Sequence, residues 1–136
     1  MRNRKEARVA TKRILIVEDD LTFARFLETV FAESGYESSI AKHGAAAFLE
    51  LEIASPDLLL VDVFMPIIDG ITFCRMVRAN PATRNTPIIV MSATTNLNQA
   101  IPVPIAGFLA KPLDIDALLR LVESLIGLPA VREETR

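Results

Sequence analysis

Cysteine is almost missing from this 136-residue chain. Its one thiol, Cys74, can build neither a disulfide framework nor a thiolate metal site. It lies in a helical pattern and reads as a small packed hydrophobe. Histidine is as scarce: His43 is alone, stands before a helical stretch, and reads as a surface or capping residue rather than a catalytic one. No apolar run approaches the ~20 residues of a membrane span. The N-terminus is basic, yet Ile14–Val17 is too short for the apolar core of a signal peptide. Net charge is small, −2, so bulk charge argues for neither nucleic acid nor membrane binding. The first residues do gather Arg2, Arg4, Lys5, Arg8, Lys12 and Arg13 against Glu6, but no aromatic residue interleaves them. Residues 1–11 therefore read as a solvated, flexible extension. Repeats and low-complexity segments are missing too. These absences point to a cytoplasmic protein of one domain, residues 12–127, with a charged tail at 128–136 that is too short for an output domain.

Apolar residues, at 51%, are enough for a real core, and their order is informative. Arg13–Glu18, Asp57–Asp62, Pro87–Ser92 and Ala106–Ala110 read as strands, and Tyr36–Ile40 as a weaker one. The strong runs are continuous rather than alternating, as in strands buried on both faces. Between them fall helical patterns. Asp20 caps a helix through Ser34 with Phe23, Phe26, Leu27, Val30 and Phe31 on one face, stopped by Gly35. Gly44–Ile53, Ile71–Ala79 and a last helix capped by Asp114 and closed by Gly127 follow. Pro66 and Asp69-Gly70 make 63–69 a loop. Strict alternation predicts an α/β fold, a doubly wound parallel sheet covered on both faces.

The charged groups sit where such a sheet binds ligands, beyond the C-terminal ends of its strands. Glu18-Asp19-Asp20 closes the first strong run, Asp62 the second, Ser92 the third, and Lys111-Pro112 the fourth. Should the first and third strands be neighbours, Asp19 and Asp62 meet across one crevice. Carboxylates gathered there repel unless a cation is present. Mg²⁺ suits oxygen ligands and also binds a phosphate oxygen. Asp62 can then act as a nucleophile and form an acyl phosphate, with Lys111 and the Ser92 hydroxyl holding the phosphoryl oxygens. A lone Asp after a strand is usually a turn or cap, and Asp20 and Asp114 receive only that reading. The joint placement of the others is what carries the inference.

In these motifs, over residues 12–127, the chain resembles the response-regulator receiver domain of two-component signalling. The matching stretches are Ile14-Leu15-Ile16-Val17-Glu18-Asp19-Asp20, Leu60-Val61-Asp62-Val63-Phe64-Met65-Pro66 with Asp69-Gly70, Ile88-Ile89-Val90-Met91-Ser92-Ala93, and Phe108-Leu109-Ala110-Lys111-Pro112. The resemblance implies a five-stranded, flavodoxin-like sheet of order 2-1-3-4-5. It makes Asp62 the phosphoacceptor, and Glu18 and Asp19 the acidic pair, with Asp19 a direct Mg²⁺ ligand. It makes the backbone carbonyl of Phe64 a further ligand beside Asp62. Ser92 and Lys111 become the phosphoryl-binding groups, and the Lys111-Pro112 bond is expected to be cis. It implies a single-domain response regulator that takes phosphoryl groups from a sensor histidine kinase or phosphotransfer protein. Such a protein would switch the binding of a downstream effector, as monomer or homodimer, without contacting nucleic acid or membrane directly. It would be a switch that catalyses its own phosphorylation and slow dephosphorylation rather than a turnover enzyme.

The departures lie between Ser92 and Lys111. That connection is short and contains Ile101-Pro102-Val103-Pro104-Ile105. Two prolines so spaced cannot sit inside a helix, so the helix between the fourth and fifth strands should be shortened or irregular, ending before Pro102. Phe108 stands where the family usually has a switching tyrosine. Phe64, two residues beyond Asp62, is large and apolar, and Thr94 is two past Ser92. Two other functions use related features. A degenerate receiver could act as a scaffold without phosphorylation, against which the intact acid, serine and lysine set argues. A haloacid dehalogenase-type phosphatase would need a second acid two residues after the nucleophile, where this chain has Phe64.

Overall fold

Three of the continuous apolar runs, 13–17, 58–62 and 88–92, become central strands because each buries both of its faces, whereas 107–110 forms a partly buried edge strand. The structure, a computed structural model, describes residues 11–65, 68–93 and 101–129. Its elements are β1 (Arg13–Val17), α1 (Leu21–Glu33), β2 (Glu37–Ala41), α2 (Gly44–Ile53), β3 (Leu58–Asp62), α3 (Gly70–Ala79), β4 (Ile88–Ser92), β5 (Gly107–Ala110) and α4 (Ile115–Ile126). All strand pairs are parallel, in the order β2-β1-β3-β4-β5, which is the order the resemblance implied.

Successive side chains along a strand point to opposite faces, and each face has its own core. Leu15, Val17, Leu59, Val61, Ile88 and Val90 pack with Ala47 and Leu51 of α2 and with Phe73, Cys74 and Val77 of α3. Ile14, Ile16, Leu58, Leu60, Ile89 and Met91 pack with Ala24, Leu27 and Phe31 of α1 and with Leu118 and Val122 of α4. Cys74 is thus the packed hydrophobe its pattern suggests.

Each described helix begins on a capping side chain that takes an otherwise unbonded N–H. Asp20 accepts from Phe23, His43 Nδ1 from Ala46, Asp69 from Thr72 and Asp114 from Ala117. Histidine is an uncommon cap, and its use here accounts for the chain's lone imidazole. Gly35, at φ 95°, ends α1 in a conformation that glycine adopts without strain.

Most element boundaries fall within one residue of the sequence expectation, and two of the shifts have a clear local cause. β2 starts at Glu37, not Tyr36. The Tyr36 N–H turns back to the Phe31 carbonyl at 2.9 Å, and its hydroxyl donates to the Gly127 carbonyl at 2.9 Å. The turn has claimed Tyr36, so the ladder opens one residue later, with Arg13 opposite Glu37. α3 starts at Gly70, not Ile71, because the Asp69 cap admits Gly70 as the first helical residue. The Lys111–Pro112 bond is cis, as expected.

Residues 101–105 carry no helix, in agreement with the two prolines. Ile101, Val103 and Ile105 pack on the α2–α3 core while Pro102 and Pro104 stand exposed. Arg78 holds this extended stretch, donating Nε to the Pro104 carbonyl at 3.0 Å. The rest of the connection, 94–100 with Thr94, lies outside the described residues, as does most of the basic extension and of the charged tail.

Candidate active site

Backbone bonds that outrun the strands fix the residues at the sheet's C-terminal edge. Glu18 N–H donates to Ala41 O at 3.0 Å, Val63 N–H to Met91 O at 3.0 Å, and Lys111 N–H to Ser92 O at 2.8 Å. Asp62 sits opposite Met91, and Ser92 opposite Ala110. The ends of β1, β3, β4 and β5 are thereby set side by side, and they carry Glu18, Asp19, Asp62, Ser92 and Lys111.

Glu18, Asp19 and Asp62 each offer a carboxylate oxygen within 4.8 Å of the others. Glu18 is 1% exposed and Asp62 5%, whereas Asp19 faces solvent. Lys111 Nζ donates to Glu18 Oε1 at 3.0 Å and lies 3.4 Å from Asp62 Oδ1. The other Glu18 oxygen accepts the Asp20 N–H at 3.1 Å. Ser92 is fully buried at the end of β4.

The electrostatics follow from burial. Desolvation raises the Glu18 carboxyl above its ordinary range, against the lowering effect of Lys111 and the Asp20 N–H. Desolvation also raises Asp62, against Lys111 and the Phe64 N–H that bonds its carboxylate, while nearby Asp19 adds to the rise. For Lys111, burial alone would lower the pKa; Glu18 and Asp62 outweigh it, and the net shift is upward. Two buried acids, a third at the rim and one ammonium leave an excess of negative charge. A hard dication ligated by oxygen matches that donor set, so the residues present fit Mg²⁺.

Gly70 is a residue whose part the sequence reading missed. A Cβ there would strike the Asp62 carbonyl oxygen and lie 2.7 Å from Val63 Cα. The Gly70 N–H also donates to Val63 O at 2.8 Å. The start of α3 therefore presses on the peptide that carries Asp62. In the sequence Asp69-Gly70 reads as a pattern breaker and as part of the receiver motif, and neither reading exposes the close approach to Asp62. Phe64 does not fold over Asp62 as a buried lid. The residue is 58% exposed and lines an open groove with Val63, Asp69, Ile71, Thr72 and Arg75.

The comparisons with known proteins agree with this geometry. The family model of the response regulator receiver domain matches residues 14–123. The response regulator PleD of Caulobacter vibrioides is 35% identical over 127 residues, covering 91% of this chain. The chain spans only 28% of PleD's length. Among solved structures, the receiver domain of a signal transduction histidine kinase from Syntrophus aciditrophicus superposes with a TM-score of 0.80 at 30% identity, covering 93% of this chain and 98% of that one. The receiver domain of sensor histidine kinase PA1611 from Pseudomonas aeruginosa does so with 0.79 at 28%, covering 87% and 99%, and holds a magnesium ion in its active-site cleft. The chain belongs to the response regulator receiver domain family. That membership leaves the haloacid dehalogenase reading without support. No helix among the described residues is long and apolar enough to cross a membrane.

Proposed function

We propose that this receiver domain accepts a phosphoryl group on Asp62 and that the event depends on Mg²⁺. One observation carries the reading: Lys111 Nζ binds Glu18 and Asp62 inside the same cluster that brings Asp19 within 4.8 Å of them. A structural ion pair would need one acid for one lysine. Three acids around one lysine suit a site that takes up further positive charge before an anionic donor approaches.

Asp19 and Asp62, with the Phe64 carbonyl, would hold the ion directly, and Glu18 would support it. The ion supplies charge neutralisation at the phosphoryl oxygens. The chain's own groups do the rest. An Asp62 carboxylate oxygen attacks phosphorus in line, and the bond from phosphorus to the donor nitrogen of a phosphohistidine breaks. The freed imidazole keeps the electron pair and takes up a proton. Lys111 Nζ moves from carboxylate to phosphoryl oxygen, and the Ser92 hydroxyl binds a second one. The donor would be a sensor histidine kinase or phosphotransfer protein, and the phosphorylated surface would be read by an effector.

Intact-mass spectrometry with a small phosphodonor tests this. The wild type should gain one phosphoryl mass with Mg²⁺ and none after chelation. Asp62→Asn should gain none, and Asp19→Asn should need more Mg²⁺ for the same extent. A full mass gain in Asp62→Asn would overturn the assignment.

A further inference from the structure

The Lys111 ammonium has a neighbour besides the carboxylates. Its Nζ lies over the Phe23 ring, 4.9 Å from the centroid. That is within the ~6 Å over which the negative face of an aromatic ring attracts a cation. The ring is held on two sides. Its backbone N–H is the one that Asp20 caps, at 3.2 Å, which fixes where the residue starts. Phe26, one turn on, stacks against it with centroids 6.4 Å apart and planes at 25°. Phe23 itself packs on the α1–α4 core.

The contact differs in kind from the other two. Glu18 and Asp62 hold Lys111 through carboxylate oxygens, and those of Asp62 are also the ones that a bound cation and the new phosphoryl bond would use. When they are taken, the lysine loses partners at the moment when its position matters. The ring face is used by nothing else in the reaction.

We propose that Phe23 is a positioning residue for Lys111, holding its ammonium at the reaction centre through the ring face while the carboxylates turn to other partners. The inference rests on the phosphotransfer reading for its consequence, but not for the contact itself. The spacing that created it was visible in the sequence only as an apolar helix face.

The test has two arms. In NMR spectra of the full chain, the ring current should shift the Lys111 Hε protons upfield; Lys111→Met identifies the resonance by removing it. Phe23→Leu should move it back to the position of exposed lysines, Phe23→Tyr should keep it shifted, and added Mg²⁺ should leave it shifted in the wild type. An unmoved resonance in Phe23→Leu, or loss of the shift on adding Mg²⁺, overturns the proposal. In the second arm, phosphorylation from a small phosphodonor should slow about two- to fivefold in Phe23→Leu and recover in Phe23→Tyr. Equal slowing in both variants would mean that packing, not the ring face, is responsible. Should the wild type not be phosphorylated at all, the phosphotransfer reading fails, and the NMR arm still decides the contact.

Discussion

Gly70 lies against the peptide of Asp62 with no room for a methyl group between them: a Cβ would collide with the Asp62 carbonyl oxygen. Two effects oppose each other in Gly70→Ala. Alanine in a helix is favoured over glycine by roughly 0.5–1 kcal/mol. Forcing a methyl into a filled site costs about 1–3 kcal/mol. Here the obstacle is backbone, which cannot rotate aside, so the clash wins. Gly70→Ala should lower the unfolding free energy by about 1–2 kcal/mol and slow phosphorylation as well, because the strain falls on Asp62. Urea unfolding and the intact-mass assay check the two halves. A variant as stable and as fast as wild type would show that α3 can slide away at no cost.

Arg78 joins three stretches of chain that no strand connects. Its Nε donates to the Pro104 carbonyl, and one terminal nitrogen donates to the Arg84 and Thr86 carbonyls at 3.2 and 2.7 Å. A planar guanidinium can reach several acceptors at once; a lysine ammonium on its flexible stem cannot reproduce that fork. Arg78→Lys should therefore cost about 1–3 kcal/mol, the range for leaving carbonyls unpaired. Hydrogen exchange should rise at 84–88 and 103–106 and stay unchanged in β1. Uniform exchange across the chain would mean that Arg78 is not a local tie.

How much of this was legible beforehand divides along a physical line. Strand cores such as Ile14–Val17 and Leu58–Val61 announce themselves because burial on both faces demands uninterrupted apolar residues. Asp62, Asp19, Glu18 and Lys111 were legible because strand ends deliver them, and the sheet order then brings them together. The cap of α2 by His43 was foreseen as one of two roles. What stayed hidden depends on distances between segments far apart in sequence. Gly70 against Asp62, Phe23 beneath Lys111 and Arg78 on Pro104 have no periodicity that would expose them. The start of β2 was missed by one residue because Tyr36 is bonded to Gly127, at the far end of the chain.

Cys74 makes a prediction about pH. Burial pushes its thiol up to about 11 from 9.0, with Arg78 opposing and Asp69 adding to the rise. A raised pKa means that the fold prefers the neutral thiol. The stability it contributes is fully present below the unfolded value and is lost as pH rises through the folded one. At 1.36 kcal/mol per unit, the loss reaches at most ~3 kcal/mol. Between about pH 9 and 11 the wild type should lose unfolding free energy more steeply than Cys74→Ala, which starts lower because it leaves a cavity. Alkylation of the native thiol at neutral pH should be slow and become fast in urea. Parallel pH profiles for the two proteins would contradict the burial argument.

Phe64 bears on how long a phosphoryl group would survive. It is two residues beyond Asp62, its N–H bonds the Asp62 carboxylate, and its exposed side chain lines the groove beside α3. Hydrolysis of an acyl phosphate needs a water placed in line with the bond that breaks. A side-chain amide at this position can accept a hydrogen bond from that water and orient it. A phenyl ring has no such group and can only exclude water from the space it covers. The exposed ring leaves that space partly open, so the shielding is incomplete, but no polar group replaces it. Slow dephosphorylation is the expected result, suited to a persistent signal or to storage in a relay. After phosphorylation and removal of the donor, the mass shift should decay about threefold or more faster in Phe64→Asn than in wild type, a change of ~0.6 kcal/mol in the barrier. Phe64→Leu should resemble wild type, since it also lacks a polar group. Unchanged or slower decay in Phe64→Asn would show that water reaches the phosphoryl group by a path on which residue 64 has no influence.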